Sequence, residues 1–248
     1  MNHSSTDRQA LRLSVVIPAY NEKQRIVPTI GAFTAQLAAA GVPWELIIAD
    51  DGSTDETVAL VEMLQAQNVR VLSTGQNGGK GSAVRRGVDA AGGELILFAD
   101  ADCSTPVAEL AALTAAIEAG ADLAVGSRSA LGAEVEHRSA LRRLLTFGLR
   151  AIVRVGLGIP VDDTQCGFKL FRREVAKELF AAQTIDGFSF DLEILFLAAR
   201  RRLQIAEVPV RWFDAPGSKV DTRREIVRFL RSVVQIRWNA LRGVYSHA

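Results

Sequence analysis

Short, almost unbroken apolar runs alternate with amphipathic stretches through the first half of the chain. Leu13–Ile17, Trp44–Ala49, Val69–Ser73, Glu94–Ala99 and Leu123–Gly126 are the predicted strands. A run that is apolar at successive positions, rather than at every second one, suits a strand covered on both faces. Between these runs, helical spacing predicts helices over 22–40, 55–67, 80–91 and 106–119. Strand and helix in regular alternation predict a three-layer α/β domain built on a mixed, mostly parallel sheet. The second half is less regular. It offers a long helical pattern over 138–157, strands at Phe168–Phe171 and Ala206–Trp212, and helices at Phe190–Arg202 and Thr222–Leu241. No repeat or low-complexity linker interrupts the chain. Residues 12–242 are therefore expected to form one domain, with 12–128 and 129–242 as its two halves, behind a flexible stretch 1–11.

Composition agrees with a globular chain: 248 residues, 48% hydrophobic and 23% charged. The net charge of +1 hides a division. Residues 1–127 carry 8 Lys+Arg against 15 Asp+Glu, and residues 128–248 carry 21 against 13. An acidic half suits a bound cation and a basic half suits an anionic partner. Cys103 and Cys166 lie far apart with no CxxC and no neighbouring His, which argues against a disulfide framework or a structural zinc site. The first twelve residues are polar, with no secretory apolar core. No uninterrupted apolar stretch reaches the roughly 18 residues of a spanning helix, so any membrane contact is expected to be peripheral.

In an open parallel sheet, ligands collect beyond the carboxyl ends of the strands. The first predicted strand is followed by Pro18-Ala19-Tyr20-Asn21-Glu22 and the second by Asp50-Asp51-Gly52-Ser53-Thr54-Asp55. The fourth is followed by Asp100-Ala101-Asp102 and the fifth by Gly126-Ser127-Arg128. Asp100 and Asp102 form the sharpest feature, because a turn at a strand end brings both carboxylates toward one ligand. Mg²⁺ or Mn²⁺ takes a few carboxylates together with substrate phosphates. Solvated loop acids are the plainer alternative. Asp51 suits an acceptor for a base imide or a ribose hydroxyl, while one of Ser53, Thr54 and Asp55 is expected to cap the next helix. Asn77-Gly78-Gly79-Lys80-Gly81-Ser82 opens a helix, and its backbone N–H groups with Lys80 are candidates to receive phosphate. The spacing is not that of a P-loop, and no G-x-G-x-x-G follows the first strand.

These segments resemble family 2 glycosyltransferases: SVVIPAYNE at 14–22, DDGSTDET at 50–57, NGGKGS at 77–82, FADAD at 98–102 and GSR at 126–128. DTQCGFKLF at 163–171, FDLE at 190–193 and GSKV at 217–220 are similar to the branch that acts on dolichyl and bacterial polyprenyl phosphates. The resemblance implies a GT-A fold in which Pro18, Tyr20, Glu22, Asp51 and Lys80 line the nucleotide site. It implies that Asp100 and Asp102, with Ala101 between them, hold a metal on the donor diphosphate, and that Arg128 and Lys219 face phosphate groups. Eukaryotic members carry an N-terminal transmembrane anchor, whereas this chain starts almost at its first strand, so integral insertion is not expected.

Two stretches bear on where such an enzyme would sit. Residues 223–242 place Arg223, Arg224, Arg228, Arg231, Arg237 and Arg242 against Glu225, among apolar residues that include Phe229 and Trp238. Residues 138–154 repeat the theme with Arg138, Arg142, Arg143, Arg150 and Arg154. Basic amphipathic helices lie in the headgroup plane of a bilayer, though a core-packing face with a solvated basic face is the plainer account. A cytoplasmic, peripheral enzyme is expected, and nucleic acid is not an expected partner because no binding motif appears.

The resulting expectation is an inverting transfer of a hexose, glucose from UDP-glucose first, to a lipid phosphate. Such an acceptor is largely ionised, its second pKa being about 6, and needs no general base. A hydroxyl acceptor would need one, and Asp191 is then the candidate, unless it only charges the N-terminus of its helix. GDP-mannose as donor, a soluble hydroxyl acceptor, nucleotidyl transfer and a silent nucleotide-sugar-binding adaptor are the competing readings.

Overall fold

The computed structural model describes residues 11–135, 151–213 and 222–245. The strands are β1 (Leu13–Ala19), β2 (Trp44–Asp50), β3 (Val69–Ser73), β4 (Leu95–Ala99), β5 (Leu123–Ser127), β6 (Glu134–Val135), β7 (Phe168–Arg172), β8 (Ile205–Pro209) and β9 (Arg211–Trp212). The helices are α1 (Ile26–Ala40), α2 (Thr57–Met63), α3 (Lys80–Ala90), α4 (Leu110–Glu118), α5 over residues 151–157, α6 (Arg173–Ala181), α7 (Phe190–Arg200) and α8 (Thr222–Leu241). Seven strands form one sheet in the order β3-β2-β1-β4-β7-β5-β8, with β7 antiparallel to both of its neighbours. β6 and β9 make a separate two-stranded ribbon.

The continuous apolar runs have the cause the pattern implied. All seven residues of β1 are buried, as are all five of β4 and of β5. Successive side chains point to opposite faces, and each face meets helices. On one face Val16, Ile47, Ile96 and Phe98 pack with α3, α6, α7 and α8. On the other, Val15, Ile17, Ile48 and Leu97 pack with α1 and α4. α1 presents Ile26, Ile30, Phe33 and Leu37 along one stripe, and ends at Gly41 in the left-handed region (φ +65°).

Several boundaries differ from expectation. α1 starts at Ile26 rather than residue 22, because Glu22 O accepts the N–H groups of Arg25 and Ile26 in a turn. α2 stops at Met63, and Gln65 turns the chain at φ +46°. The run Ala206–Trp212 is two strands, since β8 follows β5 as far as the pair Ser127 and Pro209 and β9 then pairs with β6 instead. α6 went unforeseen: it follows β7 without a loop, and its buried Ala176, Leu179 and Phe180 lie under a charged sequence. Residues 138–150 of the expected helix 138–157 lie outside the described residues, as does Lys219. None of the helices among the described residues is long and apolar enough to cross a membrane.

Candidate active site

The carboxyl ends of β1, β2 and β4 meet the start of α3 around an open cavity of about 580 Å³. Pro18, Tyr20, Glu22, Asp51, Lys80, Asp100, Ala101 and Asp102, all singled out in the sequence, line this one cavity. Asn77, Gly79, Arg25, Gly187 and Phe188 complete the wall. The parallel register brings the first two strand ends side by side: Ala19 lies opposite Asp50, and the Asp51 N–H donates to Ala19 O at 2.8 Å.

Asn21 organises the first rim. It adopts φ +55°, which Asn tolerates better than most residues. Its Oδ1 accepts the Thr54 N–H at 2.8 Å, and its own N–H donates to Ser53 Oγ at 2.9 Å. The turns after β1 and β2 are thereby one unit. Asp55 Oδ1 accepts the Thr57 N–H at 3.0 Å, so Asp55 is the residue that ties the start of α2.

Asp51 is buried, and its carboxylate accepts the N–H groups of Gly78 (2.9 Å) and Gly79 (3.0 Å). It pins the glycine loop to the end of β2. Gly79 has φ +99°, and a Cβ there would meet Asp186 O at 2.4 Å, so only glycine fits. The Ser82 N–H donates to the same Asp186 O at 3.1 Å. The expectation that this loop offers its backbone N–H groups to phosphate is narrowed accordingly. Those of Gly78, Gly79 and Ser82 are already engaged within the protein, and the Lys80 side chain is what the loop turns toward the cavity.

Lys80 Nζ lies 2.7 Å from Asp100 Oδ1, with the rings of Phe98 and Phe188 at 5.4 and 5.3 Å. Burial pulls the Lys80 pKa down, but Asp100, Asp191 and Asp102 outweigh it and hold the ammonium above its ordinary value. Asp100 is fixed from behind, for its N–H donates to Gly167 O at 3.0 Å. A Cβ on Gly167 would come within 2.0 Å of Asp100 Oδ2, so the backbone just before β7 approaches as closely as a glycine allows. Asp102 Oδ1 accepts the Ser104 N–H at 3.0 Å. Glu22, held by Arg25 at 2.6 Å, has its pKa raised by burial, against Arg25, with Asp102 and Asp100 adding to the rise. The cavity floor is therefore strongly anionic, with Lys80 as its internal counter-charge.

Two expected site residues are placed otherwise. Asp191, in the first turn of α7, is buried and accepts from Lys169 Nζ at 2.9 Å. Lys169 is itself only 1% exposed and donates also to Cys166 O at 2.6 Å. Burial raises the Asp191 pKa, with Lys169 and Lys80 opposing. A carboxylate so enclosed does not face an incoming hydroxyl, which corrects its assignment as a general base. The Arg128 guanidinium does not line the cavity; it is bound to Asp163 and lies 5.4 Å from the Trp212 ring. Asp163 is held in turn where Glu207 accepts its N–H at 3.1 Å.

Asn21, Asp163, Gly167, Lys169 and Phe188 are the functional neighbours that residue-by-residue reasoning passed over. Three of them fall within the segment 163–171, so that segment was the available signal.

The chain matches the family model described as Glycosyl transferase family 2 over residues 14–180. It is 37% identical over 250 residues to the dolichyl-phosphate beta-glucosyltransferase of Dictyostelium discoideum, covering 94% of this chain and 76% of that one. The enzymes of the same name from Saccharomyces cerevisiae and Homo sapiens are 36% and 33% identical, each over 96% of this chain and 78% and 79% of theirs. Among solved structures, glucosyl-3-phosphoglycerate synthase from Mycobacterium tuberculosis, in complex with Mn²⁺, UDP-glucose and phosphoglyceric acid, superposes with a TM-score of 0.67 at 23% identity, covering 91% of this chain and 78% of that one. Mannosyl-3-phosphoglycerate synthase from Rubrobacter xylanophilus gives 0.62 at 17% identity over 94% and 74%. The fold is thus that of the GT-A glycosyltransferases, and the chain belongs to glycosyltransferase family 2.

Proposed function

We propose that this protein transfers glucose from UDP-glucose to a polyprenyl or dolichyl-type lipid phosphate, with inversion at the anomeric carbon. The observation that carries this reading is the meeting of Asp100, Asp102 and Lys80 in one cavity at the ends of parallel strands, in a chain that shares most of its length with dolichyl-phosphate beta-glucosyltransferases.

The residues fit a hard divalent cation. Asp100 and Asp102 offer hard carboxylate oxygens two residues apart at the same cavity, and Asp100 Oδ1, closed off from solvent, already has a cation, Lys80 Nζ, at 2.7 Å. Two carboxylates suit an ion whose remaining positions would be filled by diphosphate oxygens and water. Asp100 and Asp102 would hold Mg²⁺ or Mn²⁺, which when bound supplies Lewis-acid neutralisation of the departing diphosphate. Lys80 adds a second positive charge to the same region. Tyr20, Pro18 and Asp51 form the wall against which the nucleoside is positioned.

The buried pairing of Asp191 favours an acceptor that arrives already ionised. A phosphate monoester is such an acceptor, and it leaves positioning and charge neutralisation as the chain's tasks. The displacement is then a single in-line step, which inverts the configuration.

The position of the enzyme at a cytoplasmic membrane face belongs to the same proposal. α8 buries Phe229, Val233 and Ile236 against the core and leaves Val227, Leu230, Val234, Trp238 and Leu241 exposed. Arg228, Arg231 and Arg237 are exposed on the same helix, and Arg242 is exposed in the turn just after it. Val155 of α5 is 88% exposed. Each arginine near an anionic surface contributes about 1 kcal/mol.

A transfer assay tests the reading. Labelled UDP-glucose or GDP-mannose is supplied with a short polyprenyl phosphate, and label entering the organic phase is counted. Lipid label from UDP-glucose that is lost with EDTA and with Asp102→Ala supports the proposal. Label from GDP-mannose alone reassigns the donor, and turnover only with soluble acceptors removes the lipid.

A further inference from the structure

Asp100 Oδ1 is closed off from solvent, and its partner is the Lys80 ammonium, with Nζ at 2.7 Å. The metal reading above gives this same carboxylate to a divalent ion. An ammonium at that distance and an ion on the same oxygen would be close neighbours of like charge, which repel strongly in a partly desolvated site. One of them has to leave.

We propose that Lys80 is a tethered stand-in cation, which occupies Asp100 while the donor is absent and must release it when the metal and diphosphate arrive. This rests on the metal reading of the site. Lys80 has the means to move. It is the first residue of α3, its side chain is long and unbranched, and its outer neighbour Phe188 is 66% exposed. A diphosphate offers the released ammonium a new anionic partner, and an ion arriving alone offers none. Metal binding is then conditional on donor binding. By linkage, each ligand tightens the other by the same factor. The unliganded enzyme is also spared a buried, unpaired carboxylate, which is costly.

The test reads metal affinity rather than turnover. Mn²⁺ is titrated into the protein with the free aquo ion followed by electron paramagnetic resonance, first without nucleotide and then with UDP. Lys80→Gln retains a hydrogen-bond donor for Asp100 without the charge, and Lys80→Met removes both. Each is expected to bind Mn²⁺ alone roughly 5- to 150-fold more tightly than the wild type. Arg25→Gln removes a positive charge from the same cavity without touching Asp100, and is expected to tighten Mn²⁺ far less. Folded Lys80 variants that bind Mn²⁺ no better than wild type overturn the proposal, as does an equal gain from Arg25→Gln. So does wild-type protein that binds Mn²⁺ alone as tightly as with UDP, whatever the variants do. If Mn²⁺ binds none of the proteins even with UDP, the metal reading falls and takes this proposal with it.

Discussion

Arg128 and Asp163 meet as two matched forks: Nε and Nη2 of the guanidinium each lie 2.8 Å from a different carboxylate oxygen. The Arg128 backbone N–H adds a third contact at 2.8 Å. Burial of Asp163 would raise its pKa, but Arg128 prevails and holds it below the ordinary carboxylate value. Lysine can supply only a point charge here. Arg128→Lys is expected to lower stability by about 1–3 kcal/mol in urea denaturation. Because the folded pKa is depressed, the contribution is present at neutral pH and disappears as pH falls through that value. A variant that keeps the wild-type midpoint at pH 7 would refute this account.

Lys169 and Asp191 are each almost wholly buried, so removing one strands the other. Lys169→Met should cost roughly 3–5 kcal/mol, and Lys169→Met with Asp191→Leu should recover most of that loss. A double-mutant cycle by chemical denaturation measures both. Additive losses would mean that the pair is not an energetic unit.

Gly167, immediately before β7, is where the chain touches the back of Asp100. Gly167→Ala puts a methyl group into the space of that carboxylate and is expected to displace it while leaving the sheet paired. A misplacement on the order of 1 Å at a reacting centre costs roughly 10²-fold in rate. Steady-state transfer should fall by about that much with an unchanged circular dichroism spectrum, and near-normal turnover would show that Asp100 tolerates the shift.

Tyr245 OH donates to Glu193 Oε1 at 2.6 Å and joins the end of the chain to α7. Burial, with the Glu193 hydrogen bond adding to it, pushes the phenol up to about 12. A free tyrosine titrates near 10. Between those values the folded state holds a proton that the unfolded state has lost, so stability falls as pH rises. Urea midpoints at pH 9 and pH 11 should therefore differ more for wild type than for Tyr245→Phe. Equal differences would remove Tyr245 from the alkaline transition.

Most of the sheet was legible because strands buried on both faces leave an unbroken apolar run, as at Leu13–Ile17 and Leu95–Ala99. Asp100 and Asp102 stood out because acids directly after such a run have few structural uses. Pairings between distant segments left no such trace. Nothing in the local sequence couples Arg128 to Asp163, or Lys169 on a strand to Asp191 on a helix. Asp191 accordingly read as an available base when it is a buried counter-ion. Arg173–Ala181 was overlooked for a different reason: its charged residues mask a short apolar face, and it begins where β7 ends.

The position of β7 also bears on how the polypeptide is made. β4 and β5 leave the ribosome before Phe168–Arg172 exists, yet β7 lies between them and pairs with both. Until it arrives, each of these apolar strands has an open edge, and the Asp100 N–H lacks its Gly167 acceptor. The Asp100 backbone is thus held in place only once residue 167 has been synthesised. Nascent chains arrested before Phe168 are expected to depend on chaperones for solubility, because closing this sheet requires contacts distant in sequence.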